Sequence, residues 1–282
     1  MMLTGGCRST IRVPPSAEEG SPKALDAAMA QATALRKPLL VLVTESGGAR
    51  ANEAALSLMT SKDITRGADG LVTCVLDLAV SRNRAIAARF HPIQTPLLVC
   101  LSPDGVIISR DETPLDKGLV LRRIAESFRD GPELDAQLAA LRRGVEANSD
   151  RCAALFELAD FLLAHRNALE AIPDLAAVAH NETCADPQRV KAWVALARAH
   201  LWVGEPEKAR VEAESLIASL GARLPEARAG GKLVLGIHDA NLKRPALARR
   251  EFKEAMILAP GTPYAKEAAD MTEDLRKGWT VK

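Results

Sequence analysis

One stretch, residues 87–111, limits the possible folds of this chain more than any other. It contains Thr95-Pro96, an apolar run at 97–101, a Ser-Pro-Asp-Gly turn at 102–105 and a second apolar run at 106–108. Two apolar runs around such a turn predict a β-hairpin, because proline and glycine readily adopt the backbone angles of the turn. Pro96 is predicted to begin the first strand, where a missing N–H does little harm.

Upstream of this hairpin, helical and strand patterns alternate. A first helix is predicted to begin at Ser21, its N-cap, because apolar residues then recur at intervals of three and four. Continuous apolar runs predict strands that are covered on both faces. The predicted elements are a helix that begins at 21–22 and is stopped at 37–38, a strand at 39–43, a helix at 49–59, a strand at 71–78, a helix at 81–90 and, after the hairpin, a helix at 114–128.

This order of elements, with Thr95-Pro96 before the hairpin, resembles the thioredoxin fold over about residues 21–130. The resemblance implies an α/β domain in which the Thr95-Pro96 bond is cis and its loop faces the redox centre of the family. The initial strand of that fold is weak or missing here, with residues 11–13 as the candidate.

The cysteine pair that carries the chemistry of that family is absent. In the family, Cys-x-x-Cys opens the helix after a central strand; the matching positions here are Gly48, Ala49, Arg50 and Ala51, with an offset of one or two residues left open. Disulfide exchange needs a thiolate, which glycine and alanine cannot supply. The domain is therefore predicted to be redox-inactive, and the chain is predicted to be no enzyme and to bind no cofactor or metal.

The five cysteines bear on pairing and on the compartment. Cys74 and Cys100 lie in strand patterns and are predicted to be small buried residues. Cys152 and Cys184 stand at the start and the end of one helical repeat, and in an exported protein they could pair. As written, the chain is predicted to be cytoplasmic. Alternatively, Cys7 ends a segment that loosely resembles a bacterial lipoprotein cleavage site, and it would be a lipid anchor if the true start lay upstream.

Composition argues against several classes of function. The net charge is +1, which disfavours a general surface for nucleic acids or anionic membranes. Aromatic residues make up 3% of the chain, so few platforms exist on which bases could stack. No apolar run approaches the length of a membrane-spanning helix, and residues 1–20 are predicted to be a flexible segment.

The C-terminal half is predicted to be all-helical. Gly131 and Pro132 are predicted to end the first domain, and a bridging helix is predicted at 133–148 within the linking region 131–150. From residue 151 a helical pattern recurs at intervals of about 38 and 39 residues. Thr262 is predicted to cap a last helix, which ends at Gly278.

This recurring pattern resembles tetratricopeptide repeats over about residues 152–278, which implies a helical solenoid at 151–282. The family binds peptides along a concave face that the first helix of each repeat lines. The matching positions here are Phe156, Asp160, Val194, Arg198, Trp202, Leu233, Ile237 and Asn241. They predict a mostly apolar groove in which an amphipathic helix of a protein or peptide client would dock. Equally, the bridging helix or the N-terminal domain of the same chain could fill this groove.

Two functions remain open from the sequence. The layout is similar to that of bacterial thioredoxin-repeat chaperone-holdases and assembly factors, which implies a non-catalytic adaptor that binds protein clients in the repeat groove. The loop at Thr95 and Pro96 would offer such clients a second contact. The alternative is a divergent thiol-disulfide oxidoreductase that uses a single cysteine.

Overall fold

The structure of the chain is a computed structural model. The residues that it describes are 22–46, 50–61, 64, 70–90, 94–112, 115–147 and 150–278. The chain divides into two compact units, Met1–Gln137 and Leu138–Lys282, called here the N-terminal and the C-terminal unit. Cys7, the candidate strand at 11–13, and Gly48 and Ala49 lie outside the described residues, so the statements about them stay predictions.

In its described residues, the N-terminal unit is built on a four-stranded mixed sheet with flanking helices. In chain order its elements are α1 (Pro22–Leu35), β1 (Leu39–Thr44), α2 (Arg50–Met59), β2 (Val72–Asp77), α3 (Ser81–Ala87), β3 (Leu97–Leu101), β4 (Ile107–Asp111) and α4 (Lys117–Ala147), which continues into the C-terminal unit. Strand β1 pairs in parallel with β2 and antiparallel with β3, and β3 pairs antiparallel with β4. The strand order is therefore β2-β1-β3-β4.

The two central strands, β1 and β3, are buried along their whole length, as their continuous apolar sequences predict. Successive side chains of a strand point to opposite faces of the sheet. In β1, Val41 therefore packs in a cluster that includes residues of α1, whereas Leu42 packs in a second cluster with residues of α2 and α4. Helices thus cover both faces of the sheet.

The predicted hairpin is present as β3 and β4. Its turn is closed by the Ser102 N–H, which donates to the Val106 carbonyl at 2.8 Å, and by the Val106 N–H, which donates to the Ser102 hydroxyl at 2.9 Å. Gly105 has a φ of 89°, a left-handed conformation that glycine adopts without a steric cost. The Thr95-Pro96 peptide bond is cis, which confirms the prediction.

One prediction about this region is wrong, because the chain does not break at Gly131 and Pro132. Helix α4 runs through both residues, so residues from 133 onward are not a separate bridging helix. A proline inside a helix removes one backbone hydrogen bond, but packing on both sides can hold the helix together. Gly131 is buried, and Asp135 on the next turn accepts a hydrogen bond from the Asp104 N–H of the hairpin turn at 3.3 Å.

In its described part, the C-terminal unit follows the end of α4 with seven successive helices. They are α5 (Arg151–Ala164), α6 (Ala168–Ala179), α7 (Asp186–Trp202), α8 (Pro206–Leu220), α9 (Pro225–Asn241), α10 (Pro245–Leu258) and α11 (Pro263–Lys277). Each of these helices packs against the next, and α7 and α11 also pack against α9. Helices α7 to α11 carry a proline in their first turn, where its missing N–H has no intrahelical partner to lose.

Three turns of this array share one geometry. In each, a residue with positive φ follows the first helix of a pair: Arg166 at 58°, Gly204 at 79° and Lys243 at 58°. The next N–H donates back to a helical carbonyl at 2.8 Å: Asn167 to Leu162, Glu205 to His200 and Arg244 to Asp239. Equivalent residues are therefore about 38 and 39 positions apart, as predicted from the sequence.

The last helix, α11, has the ends that the sequence predicts. At its N-terminus the Thr262 hydroxyl accepts a hydrogen bond from the Ala265 N–H, so Thr262 is the N-cap. At its C-terminus Gly278 has a φ of 90°, the left-handed conformation typical of a residue that ends a helix.

Candidate functional site

The loop at Thr95 and Pro96 lies beside the first turn of α2. The side-chain amide of Asn52 donates a hydrogen bond to the Thr95 hydroxyl at 3.4 Å. Asn52 is almost completely buried, and its Oδ1 has no hydrogen-bond partner among the described residues. The structure therefore brings together a predicted site residue and a polar side chain that the sequence did not single out. A lone asparagine near the start of a helix gives no signal by itself.

Asp77, at the end of β2, anchors the turn that follows β1. Its carboxylate accepts hydrogen bonds from the Ser46 hydroxyl, from the Ser46 N–H at 2.9 Å and from the Ala79 N–H at 3.0 Å. Burial opposes ionisation, but these hydrogen bonds outweigh it and lower the pKa of Asp77. A carboxylate held in this way stabilises the turn and is a weak general base.

The free cysteines of the described chain are poor nucleophiles. Cys74 on β2 and Cys100 on β3 are both buried, as predicted. Burial raises the pKa of Cys74 to about 11. Burial also raises the pKa of Cys100, although the nearby hydroxyls of Ser109 and Ser127 oppose this shift. Reactive cysteines need the opposite shift, towards the thiolate.

Cys152 and Cys184, whose pairing the sequence left open, are joined by a disulfide bond with their Cα atoms 5.8 Å apart. His180 lies four residues before Cys184, but the bonded sulfur of Cys184 offers it no thiolate with which to share a metal ion. The His180 ring instead packs edge-on against Trp193, with the ring centres 5.1 Å apart. Among the described residues, no cluster of three or more histidine, cysteine or acidic side chains could hold a metal.

The eight predicted groove residues lie on α5, α7 and α9, the first helices of the three helical pairs. On α5, Phe156 is partly buried and Asp160 is exposed. On α7, Val194 is buried, Arg198 is partly buried and Trp202 is 38% exposed. Of these five positions, Asp160 and Trp202 face solvent most openly.

Helix α11 reaches across part of the same face. Arg198 on α7 forms an ion pair with Glu267 on α11, with a nitrogen–oxygen distance of 2.9 Å. Between these two helices α9 carries Gly230, where an added Cβ would lie 2.7 Å from Val194 and 3.5 Å from the ring of Tyr264. The missing side chain at Gly230 thus lets residues of α7 and α11 approach each other over α9.

Tyr264 is the most strongly perturbed group of this region. Its burial, reinforced by the nearby carboxylates of Glu226 and Glu267, raises its pKa to about 12, and Arg198 opposes this shift. The ring of Tyr264 also packs against the cluster that contains Leu233. Tyr264 was not predicted as a site residue, because its contacts come from helices far apart in the sequence.

The predicted groove positions on α9 are covered to different degrees. Leu233 is completely buried in a cluster with Phe252 and Ala268, and Ile237 is partly buried against that cluster. Asn241, at the end of α9, is partly buried, and its Oδ1 has no hydrogen-bond partner among the described residues. Helix α11, which contributes Ala268, therefore occupies much of the face that α9 would offer.

The two tryptophans of α7 have different environments. Trp193 is buried, its indole N–H donates to Glu212 at 2.9 Å, and the guanidinium of Arg189 lies 5.4 Å from the centre of its ring. Trp202, at the end of the same helix, is one of the exposed large apolar side chains. Trp193 is therefore a packing residue, whereas Trp202 is available for contacts outside the chain.

No protein-family model matches this chain, and no curated protein matches its sequence. In the part of the chain that the structure describes, no helix is both long enough and apolar enough to cross a membrane.

Proposed function

We propose that this chain is a non-catalytic adaptor of the chaperone or assembly type, which binds protein or peptide clients on the face of α5, α7 and α9. The observation that carries the proposal is the exposed indole of Trp202, at the end of the first helix of a repeated helical pair. Tryptophan is enriched among the residues that dominate binding energies. Stacked helical pairs present such residues along one extended surface.

We also propose a finer description of the two units. The N-terminal unit is a redox-inactive thioredoxin-like domain, and the mixed sheet of order β2-β1-β3-β4 and the contact of Asn52 on α2 with Thr95 support this assignment. The C-terminal unit is a tetratricopeptide-like solenoid, which the three equivalent turns and the capped last helix support. The loop at Thr95 and Pro96 is the second client contact in this proposal.

Within the helical array, the client surface centres on α5 and on the end of α7. Arg198 is paired with Glu267, and Leu233 is buried beneath α11, so these two positions are engaged within the chain. Phe156, Asp160 and Trp202 retain exposed surface. Clients that contact this surface would meet the indole of Trp202 on α7 and the carboxylate of Asp160 on α5.

The proposal is tested by comparing Trp202→Ala with Trp193→Ala. The readouts are the melting temperature and the suppression of light scattering from a heat-unfolded reporter enzyme. Truncating the buried Trp193 should cost about 3–5 kcal/mol of stability and lower the melting temperature clearly. Trp202→Ala should melt within a few degrees of the parent chain and need roughly 30-fold more protein for the same suppression, as expected for a loss of about 2 kcal/mol of binding energy.

Two outcomes contradict the proposal. If Trp202→Ala melts as early as Trp193→Ala, its indole is part of the core and is not a binding anchor. If the parent chain fails to suppress aggregation, or Trp202→Ala suppresses it as well as the parent, clients do not bind through this surface.

A further inference from the structure

A disulfide bond closes the first helical pair of the array. Cys152, in the first turn of α5, is bonded to Cys184, in the turn before α7. The two cysteines are 32 positions apart, and the loop that they close contains most of α5 and the whole of α6. The bond therefore ties the beginning of the first pair to the beginning of the second.

The buried side chains of this first helical pair are mostly small. Five of the nine buried residues of α5 and α6 are alanines: Ala154, Ala159, Ala168, Ala171 and Ala179. Burying alanine removes less apolar surface from water than burying leucine or phenylalanine, so it stabilises less. Pro173 lies inside α6 and removes a backbone hydrogen bond from that helix. The last three helices also bury several alanines, but their core includes Phe252, a larger side chain than any that is buried in α5 or α6.

We infer that the Cys152–Cys184 bond is what keeps α5 and α6 folded, and that the chain consequently works in a compartment where disulfides persist. A cross-link that closes a loop removes conformational freedom from the unfolded state, which favours the folded one. Disulfides of this structural kind are characteristic of oxidising compartments and rare where thiols are kept reduced. The inference concerns folding and location, and it does not depend on the proposed client surface.

Formation of the bond needs an electron acceptor. The two thiols lose two protons and two electrons as the sulfur–sulfur bond forms. The acceptor in this inference is an oxidised dithiol carrier, whose disulfide is attacked by one thiolate to give a mixed disulfide. The second cysteine then resolves the mixed disulfide, and the carrier leaves as a dithiol. In a reducing compartment a reduced dithiol would run the same exchange backwards and open the bond.

Two cysteines of the chain serve as internal controls for free thiols in an alkylation experiment. Cys74 and Cys100 lie in strands of the N-terminal unit and are not in a disulfide bond. Cells of the native source are quenched in acid, denatured and treated with an alkylating reagent before any reduction. We expect Cys74 and Cys100 to be alkylated, and the peptides of Cys152 and Cys184 to be recovered linked. If Cys152 and Cys184 are alkylated as fully as Cys74 and Cys100, the inference about the compartment is overturned.

Hydrogen exchange of the full chain tests the role of the bond in folding. In the double variant Cys152→Ser, Cys184→Ser, and in the parent chain treated with a dithiol reductant, amide protection in α5 and α6 should fall by about 30-fold or more. Protection in α9 to α11 should not change. The reductant should have no effect on the double variant, which is the matched control. Unchanged protection of α5 and α6 in the reduced parent chain would overturn the inference.

Discussion

Gly236 on α9 shows how a single residue sets the distance between two helices of the array. An added Cβ there would lie 2.4 Å from the ring of Phe252 on α10, closer than any real contact. Phe252 is fully buried, so its ring has no free space into which it can move. Glycine in a helix costs conformational entropy, and at this position the close approach of α10 offsets that cost.

Gly236→Ala should therefore destabilise the C-terminal unit by about 1–3 kcal/mol, because it overpacks the contact with Phe252. The matched control is Gly144→Ala in α4, where an added Cβ would have no described atom within 4 Å apart from the adjacent backbone of its own helix. There the substitution should be neutral or stabilising by roughly 0.5–1 kcal/mol. Denaturant unfolding of the two variants measures both effects. Equal stability of the two variants would contradict the close approach at Gly236.

Tyr264, the one tyrosine of the chain, makes the C-terminal unit sensitive to alkaline pH. Its pKa is raised to about 12 in the folded state, chiefly by burial, whereas an unfolded tyrosine ionises near 10. The raised pKa means that the folded state resists ionisation. Ionisation of Tyr264 therefore leaves the free energy of unfolding unchanged below about pH 10. Between about pH 10 and 12 the unfolded chain ionises first, so this free energy should fall by roughly 2–3 kcal/mol.

Tyrosinate absorbance measures this directly, because no other tyrosine contributes to it. The titration midpoint of the folded chain should lie well above that of the denatured chain. Tyr264→Phe keeps the ring and removes the ionisable group, so it should abolish this part of the alkaline loss of stability. A midpoint equal to that of the denatured chain would show that Tyr264 is solvated and that α11, which carries it, does not pack against α9 at this position.

At the scale of elements, the turns of the array preserve their backbone while their side chains change. In the turn after α7, His200 lies 2.8 Å from Glu205. At the equivalent positions after α9, Asp239 lies 3.8 Å from Arg244, so acid and base have exchanged places. The backbone hydrogen bond that closes each turn is the feature that repeats. The two side chains at these positions need only be able to pair with each other.

Helix α4 allows a test of how much an internal proline lowers the stability of the chain. Pro132 is exposed inside the helix and has no N–H to donate to the preceding turn. Pro132→Ala supplies that hydrogen bond and should raise stability by about 1–3 kcal/mol. Pro245→Ala in the first turn of α10 is the matched control and should give no comparable gain, because an N–H there has no intrahelical acceptor. Equal effects in thermal unfolding would argue that α4 is interrupted at Pro132 in solution.

At the scale of the whole molecule, the cysteines are distributed so that no described thiol is ready to react. Cys74 and Cys100 are buried in the sheet with raised pKa values, and Cys152 and Cys184 are bonded to each other. We therefore expect the chain not to reduce insulin disulfides with any thioredoxin-reductase system. Turnover that survives Cys74→Ser and Cys100→Ser but is lost in Cys152→Ser would favour the alternative of a single-cysteine oxidoreductase.

The sequence by itself determined those features that depend on neighbouring residues. The Pro-Asp-Gly turn and its flanking apolar runs specify the hairpin of β3 and β4, because turn chemistry and strand burial are local. The recurring spacing specifies the seven helices and their equivalent turns, and Thr262 and Gly278 specify the ends of α11. These signals depend on backbone preferences that act within a few residues of each other.

Only the tertiary structure decided the features that join distant parts of the chain. The continuity of α4 through Pro132 depends on packing, which outweighs the local cost of a proline. The bond between Cys152 and Cys184, the contact of Asn52 with Thr95 and the pairing of Arg198 with Glu267 link positions that no local pattern relates. Such contacts are set by how the folded elements meet in space, which is why only the fold could show that α11 covers the α9 part of the predicted groove.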